Sequence, residues 1–158
     1  MADNDVQSKQ GGARVRIPPP LVFLAAIAVG WLIPGLRLHG FHGVRIAIGA
    51  VLVLGGLAIG FAAVKLFRKT GQDPKPWMPT PELLYDGPYQ YTRNPMYVGM
   101  TLFTLAASVL AGHGWIALLS PMALSVVHFT AVLPEERYLT ARFGEPYVAY
   151  MARVRRYL

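Results

Sequence analysis

Four apolar runs, residues 20–36, 44–67, 96–111 and 115–133, limit this chain more than any other feature, because each is too long and too apolar to be an ordinary surface element. A helical crossing of a bilayer takes about 20 mostly apolar residues. Run 44–67 meets this most clearly. Run 20–36 carries Gly30 and Pro34 and run 96–111 is short, which leaves both open to tilt or partial re-entry. With 54% hydrophobic residues and a mean hydropathy of +0.38, the composition lies outside the soluble range. The expected fold is all-α: an integral membrane helical bundle of about four transmembrane helices with a cytosolic amphipathic C-terminal helical segment.

Basic residues are sorted by loop. Lys9, Arg14 and Arg16 precede the first run, Lys65, Arg68, Lys69, Lys75 and Arg93 separate the second from the third, and Arg137, Arg142, Arg153, Arg155 and Arg156 follow the fourth. Arg37 and Arg45 alone fall on the opposite side, while every acidic residue, from Asp3 to Glu145, shares the basic side. Because short basic loops are retained in the cytoplasm, both termini and the central loop are expected there, in a bacterial inner membrane. The net charge of +7 is then an orienting and lipid-attracting feature, and nucleic acid is not an expected partner. No cysteine is present, which excludes disulfides, thiolate catalysis and Cys-ligated metal. His39 and His42 lack a third ligand nearby, so no metal is expected. A cleaved signal peptide is not expected either, since Asp3 and Asp5 precede the first run and Pro34 and Arg37 follow it.

Along the chain, residues 1–19 read as a flexible cytosolic tail, residues 20–67 as a first transmembrane hairpin, and residues 68–158 as a cytosolic loop, a second hairpin and C-terminal helices. Gly56 and Gly60 form a GxxxG pair, for which packing within the chain is expected before dimerisation; monomer and homodimer both stay open. Prolines 74, 76, 79, 81, 88 and 95 forbid a continuous helix across the central loop. Trp77, Leu83, Leu84, Tyr85, Tyr89 and Tyr91 give it enough apolar surface to be ordered. Further on, Leu139, Phe143, Tyr147, Met151 and Val154 make an amphipathic stripe, interrupted at Gly144-Glu145-Pro146.

Candidate chemistry gathers at two places. Arg93 precedes Asn94-Pro95 at the expected start of the third helix, where unpaired N–H groups and a guanidinium suit a carboxylate or phosphate. An isolated Arg there would snorkel to lipid, but Tyr89, Tyr91, Asn94 and Tyr97 crowd the same turn. Glu135 and Glu136 follow Pro134, where a helix dipole alone would favour carboxylates. A helical hairpin between the two places would bring the acids within reach of Arg93, and that mixed-charge mouth suits a zwitterion. His128 lies about two turns before Glu135, either as an intramembrane functional group or as a core histidine bonded to a backbone carbonyl. There is no Gly-rich phosphate loop, Ser-His-Asp order or zinc spacing.

The run Gly87-Pro88-Tyr89-Gln90-Tyr91-Thr92-Arg93-Asn94-Pro95-Met96-Tyr97-Val98-Gly99, the acids Glu135-Glu136, and Phe143-Gly144-Glu145-Pro146-Tyr147-Val148-Ala149-Tyr150 with Arg153-Val154-Arg155 resemble the isoprenylcysteine carboxyl methyltransferase family and its bacterial relatives, which share a fold with phospholipid methyltransferases. The likeness covers residues 84–158. It implies S-adenosyl-L-methionine as methyl donor and a catalytic region at 68–158. Tyr91, Arg93, Asn94, Pro95 and Tyr97 would line one side of the donor pocket, and Glu135, Glu136 and Tyr147 the other, with Tyr89 and His128 as further candidates. Arg93, Glu136 and Arg137 are the expected catalytic groups, and Arg137 or Arg153 would hold an acceptor carboxylate. The acceptor is expected to be a membrane lipid or lipophilic small molecule. Asn94 stands where eukaryotic members typically have His, and Asn cannot titrate; this suits an acceptor already ionised at neutral pH. Two other readings stand beside this one: a sterol-reductase-like NADPH enzyme, suggested by the Arg-x-Pro-x-Tyr element, and a non-enzymatic membrane scaffold assembled through Gly56 and Gly60.

Overall fold

A computed structural model describes residues 12, 13, 15 and 17–158. Most of the tail expected at 1–19, namely residues 1–11, 14 and 16, lies outside the described residues. The described end of that stretch is held by the central loop: the Gly12 and Ala13 amides donate to the carbonyls of Trp77 and Pro76, at 3.1 and 2.8 Å.

The protein is an all-helical membrane protein. Helices α1 (Pro19–Leu32), α2 (His42–Lys69), α3 (Pro95–Ala111), α4 (Gly114–Val127), α5 (Leu133–Phe143) and α6 (Glu145–Arg153) are joined by a 3-10 turn at Gly87–Gln90 and a π turn at His128–Val132. Among the described residues two helices have spanning length: α2, with 28 residues and a most apolar 18-residue stretch of mean hydropathy 2.4, and the continuous helix Gly114–Phe143, made of α4, the π turn and α5, with 30 residues and such a stretch of mean hydropathy 2.0. At about 1.5 Å per residue both exceed the roughly 30 Å hydrocarbon layer. α1 and α3, with 14 and 17 residues, are shorter than the expected crossings. α1 stops at Leu32, four residues before the end of its apolar run, because Ile33 precedes Pro34 and takes an extended conformation (φ −78°, ψ 120°).

The π turn has a local cause. Pro134 lacks an N–H and its ring would strike a carbonyl one turn earlier, and a widened turn immediately before it relieves both. Gly144 ends α5 at φ 61°, and Glu145 and Pro146 open α6, so the break falls where the sequence predicts it.

The described residues form two compact units. In the unit made of Pro18–Gly60 and Met96–Val127, α1 packs against α4 at a contact that only glycine permits: a Cβ on Gly30 would lie 2.8 Å from the Ile116 Cα and N. α2 meets α3 at a close but less strict contact. A Cβ on Gly56 would lie 3.2 Å from the Gly99 carbonyl oxygen, so the GxxxG glycine serves packing within the chain, whereas Gly60 has open space in front of it.

The other unit takes residues up to Ile17, Phe61–Pro95 and His128–Leu158. Its loop is ordered around α5 and α6. The Thr80 amide donates to the buried Tyr138 hydroxyl at 3.2 Å, the Tyr150 hydroxyl donates to the Tyr89 carbonyl at 2.7 Å, and the Phe67 and Tyr89 rings meet edge to face.

Candidate functional site

Residues that follow α6 complete this second unit. The Arg93 amide donates to the Arg155 carbonyl at 2.9 Å, and Thr92 and Arg155 form a short parallel bridge. The Arg156 carbonyl accepts from the Thr92 hydroxyl at 3.2 Å and from Asn94 Nδ2 at 2.9 Å. Asn94 is therefore committed to holding the C-terminal segment against the turn that carries Arg93. Pro95, fully buried, begins α3 at that turn.

This strap assembles a charge cluster. Arg93 Nη1 lies 3.1 Å from Glu136 Oε1, with side-chain exposures of only 10% and 13%. Arg156 grips the same carboxylate with both edges of its fork, Nε to Oε1 at 2.9 Å and Nη2 to Oε2 at 2.8 Å. Paired, forked geometry of this kind is the strong form of a charged hydrogen bond. Arg93 Nε, by contrast, is buried with no partner among the described residues. The helical chain thus returns to bring Arg93 and Glu136 together, as the charge placement predicts. Arg156 is the member that sequence reasoning missed, because three arginines crowd 153–156 and no spacing rule separates them.

Tyrosines enclose the cluster. Burial, then the charge of Glu136, push the Tyr147 hydroxyl up to about 12 against the opposing pull of the Arg93 guanidinium. Burial, then Glu135, raises Tyr89; burial, then Tyr147, raises Tyr150. All three stay protonated donors near neutral pH. Since their folded values lie above the ordinary 10.0, the stability they contribute is complete below pH 10 and is lost as pH rises from there toward 12. Thermal unfolding in detergent should therefore drop steeply across that window, and Tyr147→Phe should flatten the decline; an unchanged slope in the variant would remove Tyr147 from the cause.

The remaining predicted residues are distributed unevenly. Glu135 is half-buried beside Glu136. His128 begins the π turn, and its Nδ1 meets the Tyr157 hydroxyl at 3.0 Å, a side-chain partner where a backbone carbonyl was the alternative. Tyr91 is 74% exposed and points to solvent or headgroups. Tyr97 is buried, but in the other unit. Arg137 lines an apolar groove of about 510 Å³ with Leu133, Glu136, Thr140, Ala141 and Met151. Arg153 does not reach that groove; it stays exposed, with Nε directed to its own helix at the Ala149 carbonyl.

A family model described as phospholipid methyltransferase matches residues 44–146. The chain belongs to the phospholipid methyltransferase family. The matched region of this family member contains Arg93, Asn94, Glu135, Glu136 and Arg137, whereas Tyr147 and Arg156 lie beyond it. Protein-S-isoprenylcysteine O-methyltransferase from Schizosaccharomyces pombe (strain 972) is 35% identical over 72 residues, 46% of this chain and 30% of that protein. The match thus spans less than a third of that relative. Membership and the two spanning helices together make this phospholipid methyltransferase relative an integral membrane protein.

Proposed function

We propose that the protein is an S-adenosylmethionine-dependent methyltransferase that acts on a lipophilic acceptor at the cytosolic membrane face. The observation that carries this reading is the nearly buried Arg93–Glu136 pair, with Arg93 Nε left without a partner among the described residues. A buried donor without an acceptor is expensive unless a ligand supplies one, and the carboxylate of an amino-acid-like donor would do so. Glu135 and Glu136 would receive its ammonium, while the Tyr89, Tyr147 and Tyr150 rings offer apolar faces and hydroxyl donors. The donor set therefore fits the group. When bound, S-adenosylmethionine supplies a methyl carbon made electrophilic by its sulfonium.

The chain's own residues then have three tasks. Arg93 and Glu136 orient the donor; the strap at 155–156 shuts water out of the cluster; and Arg137, on the rim of the apolar groove, holds an anionic acceptor in line, since alignment and exclusion of water are what such a displacement chiefly needs. Asn94 supports an acceptor that needs no deprotonation, such as a carboxylate, because its amide is engaged with Arg156 and it cannot act as a base. The S. pombe relative is named for O-methylation, which agrees with a carboxylate acceptor for this chain.

Calorimetry of the purified protein in nanodiscs should show one saturable site for S-adenosylhomocysteine, and Arg93→Ala should abolish it. Wild-type protein that gives no heat of binding at any accessible concentration would overturn the reading.

A further inference from the structure

The unit made of Pro18–Gly60 and Met96–Val127 contains no aspartate or glutamate, yet it gathers two arginines at one turn. Arg45, in the first turn of α2, donates from Nε to the Val109 carbonyl at 3.0 Å and from Nη2 to the Leu110 carbonyl at 2.9 Å, capping α3. A Cβ on Gly112 would lie only 2.6 Å from Arg45 Nη2, so the guanidinium rests against the turn itself. Arg37 reaches the next residue, with Nη1 bonded to His113 Nε2. Since a guanidinium can only donate, Nε2 is the acceptor and His113 is the neutral tautomer with its proton on Nδ1. His113 is buried and stacks on Trp31, ring centroids 4.4 Å apart. Backbone pairing fixes the turn further: Leu38 N to Gly112 O and Gly114 N to Leu36 O, both at 2.9 Å.

Two cations held by a rigid turn with no counter-charge in their unit are half of an ion pair. Arg37 is exposed, and its Nε and Nη2 have no protein partner among the described residues. The surroundings are those of a membrane interface: Trp31 is 55% exposed, Leu32 79% and Phe41 86%, and Trp115 Nε1 is tied to the Pro34 carbonyl at 3.0 Å. Amphipathic aromatics at that depth are a headgroup-level feature, and basic pockets between membrane helices favour anionic headgroups.

The geometry points to a phosphate-binding site at the Arg37–Arg45–His113 turn, occupied by the headgroup of an anionic phospholipid whose acyl chains lie along the exposed faces of α1 and α2. The phosphate would take the open edge of Arg37 in the forked arrangement guanidinium favours, and the exposed Val44 and Ile48 would meet the chains. This site is independent of the methyl-transfer reading.

The test uses the full chain with Trp77→Phe, so that Trp31 and Trp115 report, in phosphatidylcholine vesicles doped with one lipid brominated near the carbonyl end of its chains. Brominated phosphatidylglycerol should quench with a local enrichment of about fivefold over brominated phosphatidylcholine, the ratio that about 1 kcal/mol implies for Arg37, the cation with an open edge, since Arg45 is committed to the Val109 and Leu110 carbonyls. Arg37→Gln should bring that ratio close to unity, and Arg37→Lys should keep most of it. If Arg37→Gln does not fold, the wild type in high salt should show the same loss. Equal quenching by the two lipids, or an enrichment indifferent to both Arg37→Gln and salt, would overturn the site. Abolition of the enrichment by excess inorganic phosphate would assign it to a free anion and overturn the lipid.

Discussion

Replacing Glu136 with alanine is expected to abolish S-adenosylhomocysteine binding and to lower the melting temperature more than any other single change in the charge cluster. Glu136 is held by two guanidiniums, by Arg93 at 3.1 Å and by both Nε and Nη2 of Arg156. Its removal leaves two cations facing each other, one of them 10% exposed. Breaking one side of a buried pair costs about 3–5 kcal/mol, because the surviving charge stays desolvated. That is a large share of the stability of a typical domain. Glu136→Gln keeps the shape and one acceptor oxygen, so its effect on folding should be smaller while binding is still lost. Arg156→Lys keeps the charge without the fork and should fall between. Melting in detergent, read beside calorimetry for each variant, separates the two roles. A Glu136→Ala protein that melts like the wild type would mean that the cluster does not stabilise its unit.

Gly30→Ala should be the most damaging small substitution in the apolar part of the molecule. The added methyl would sit 2.8 Å from two backbone atoms of Ile116, and backbone cannot rotate away as a flexible side chain can. Overpacking of well-filled sites costs about 1–3 kcal/mol, and a helix-to-helix backbone contact belongs at the upper end. Gly60→Ala supplies the control. Nothing lies within 4 Å of the new methyl, and alanine is a better helix residue than glycine by up to about 1 kcal/mol. Equilibrium unfolding in mixed detergent should therefore move in opposite directions for the two. A Gly30→Ala protein as stable as Gly60→Ala would show that α1 and α4 do not meet at this point.

Much of this architecture is legible in the amino-acid order. The apolar runs disclose the helices, Gly144-Glu145-Pro146 discloses the break between α5 and α6, and the mixed charges beside Pro95 and Pro134 disclose that Arg93 and Glu136 belong together. What the order conceals depends on partners distant in sequence. Gly30 reads as a flexible point in a candidate span, and only the approach of Ile116 explains why it is glycine. Arg156 is one of several terminal arginines, and its selection comes from the carbonyls of Arg155 and Arg156 bonding to Thr92, Arg93 and Asn94. The short α1 results from Pro34 acting one residue ahead of itself, which a hydropathy average dilutes. His128 shows the limit of residue type as a guide, since its Tyr157 partner has no motif.

The strap of Arg155 and Arg156 onto the Thr92–Asn94 turn has a consequence for biogenesis. Those arginines leave the ribosome after α1 to α6, so these helices can enter the bilayer before the charge cluster exists. A premature stop at codon 155 should yield a product that inserts normally yet leaves Glu136 without its forked partner. Insertion and competence would then be two separate events in the life of one polypeptide, and the codons for Arg155 and Arg156 would govern only the second.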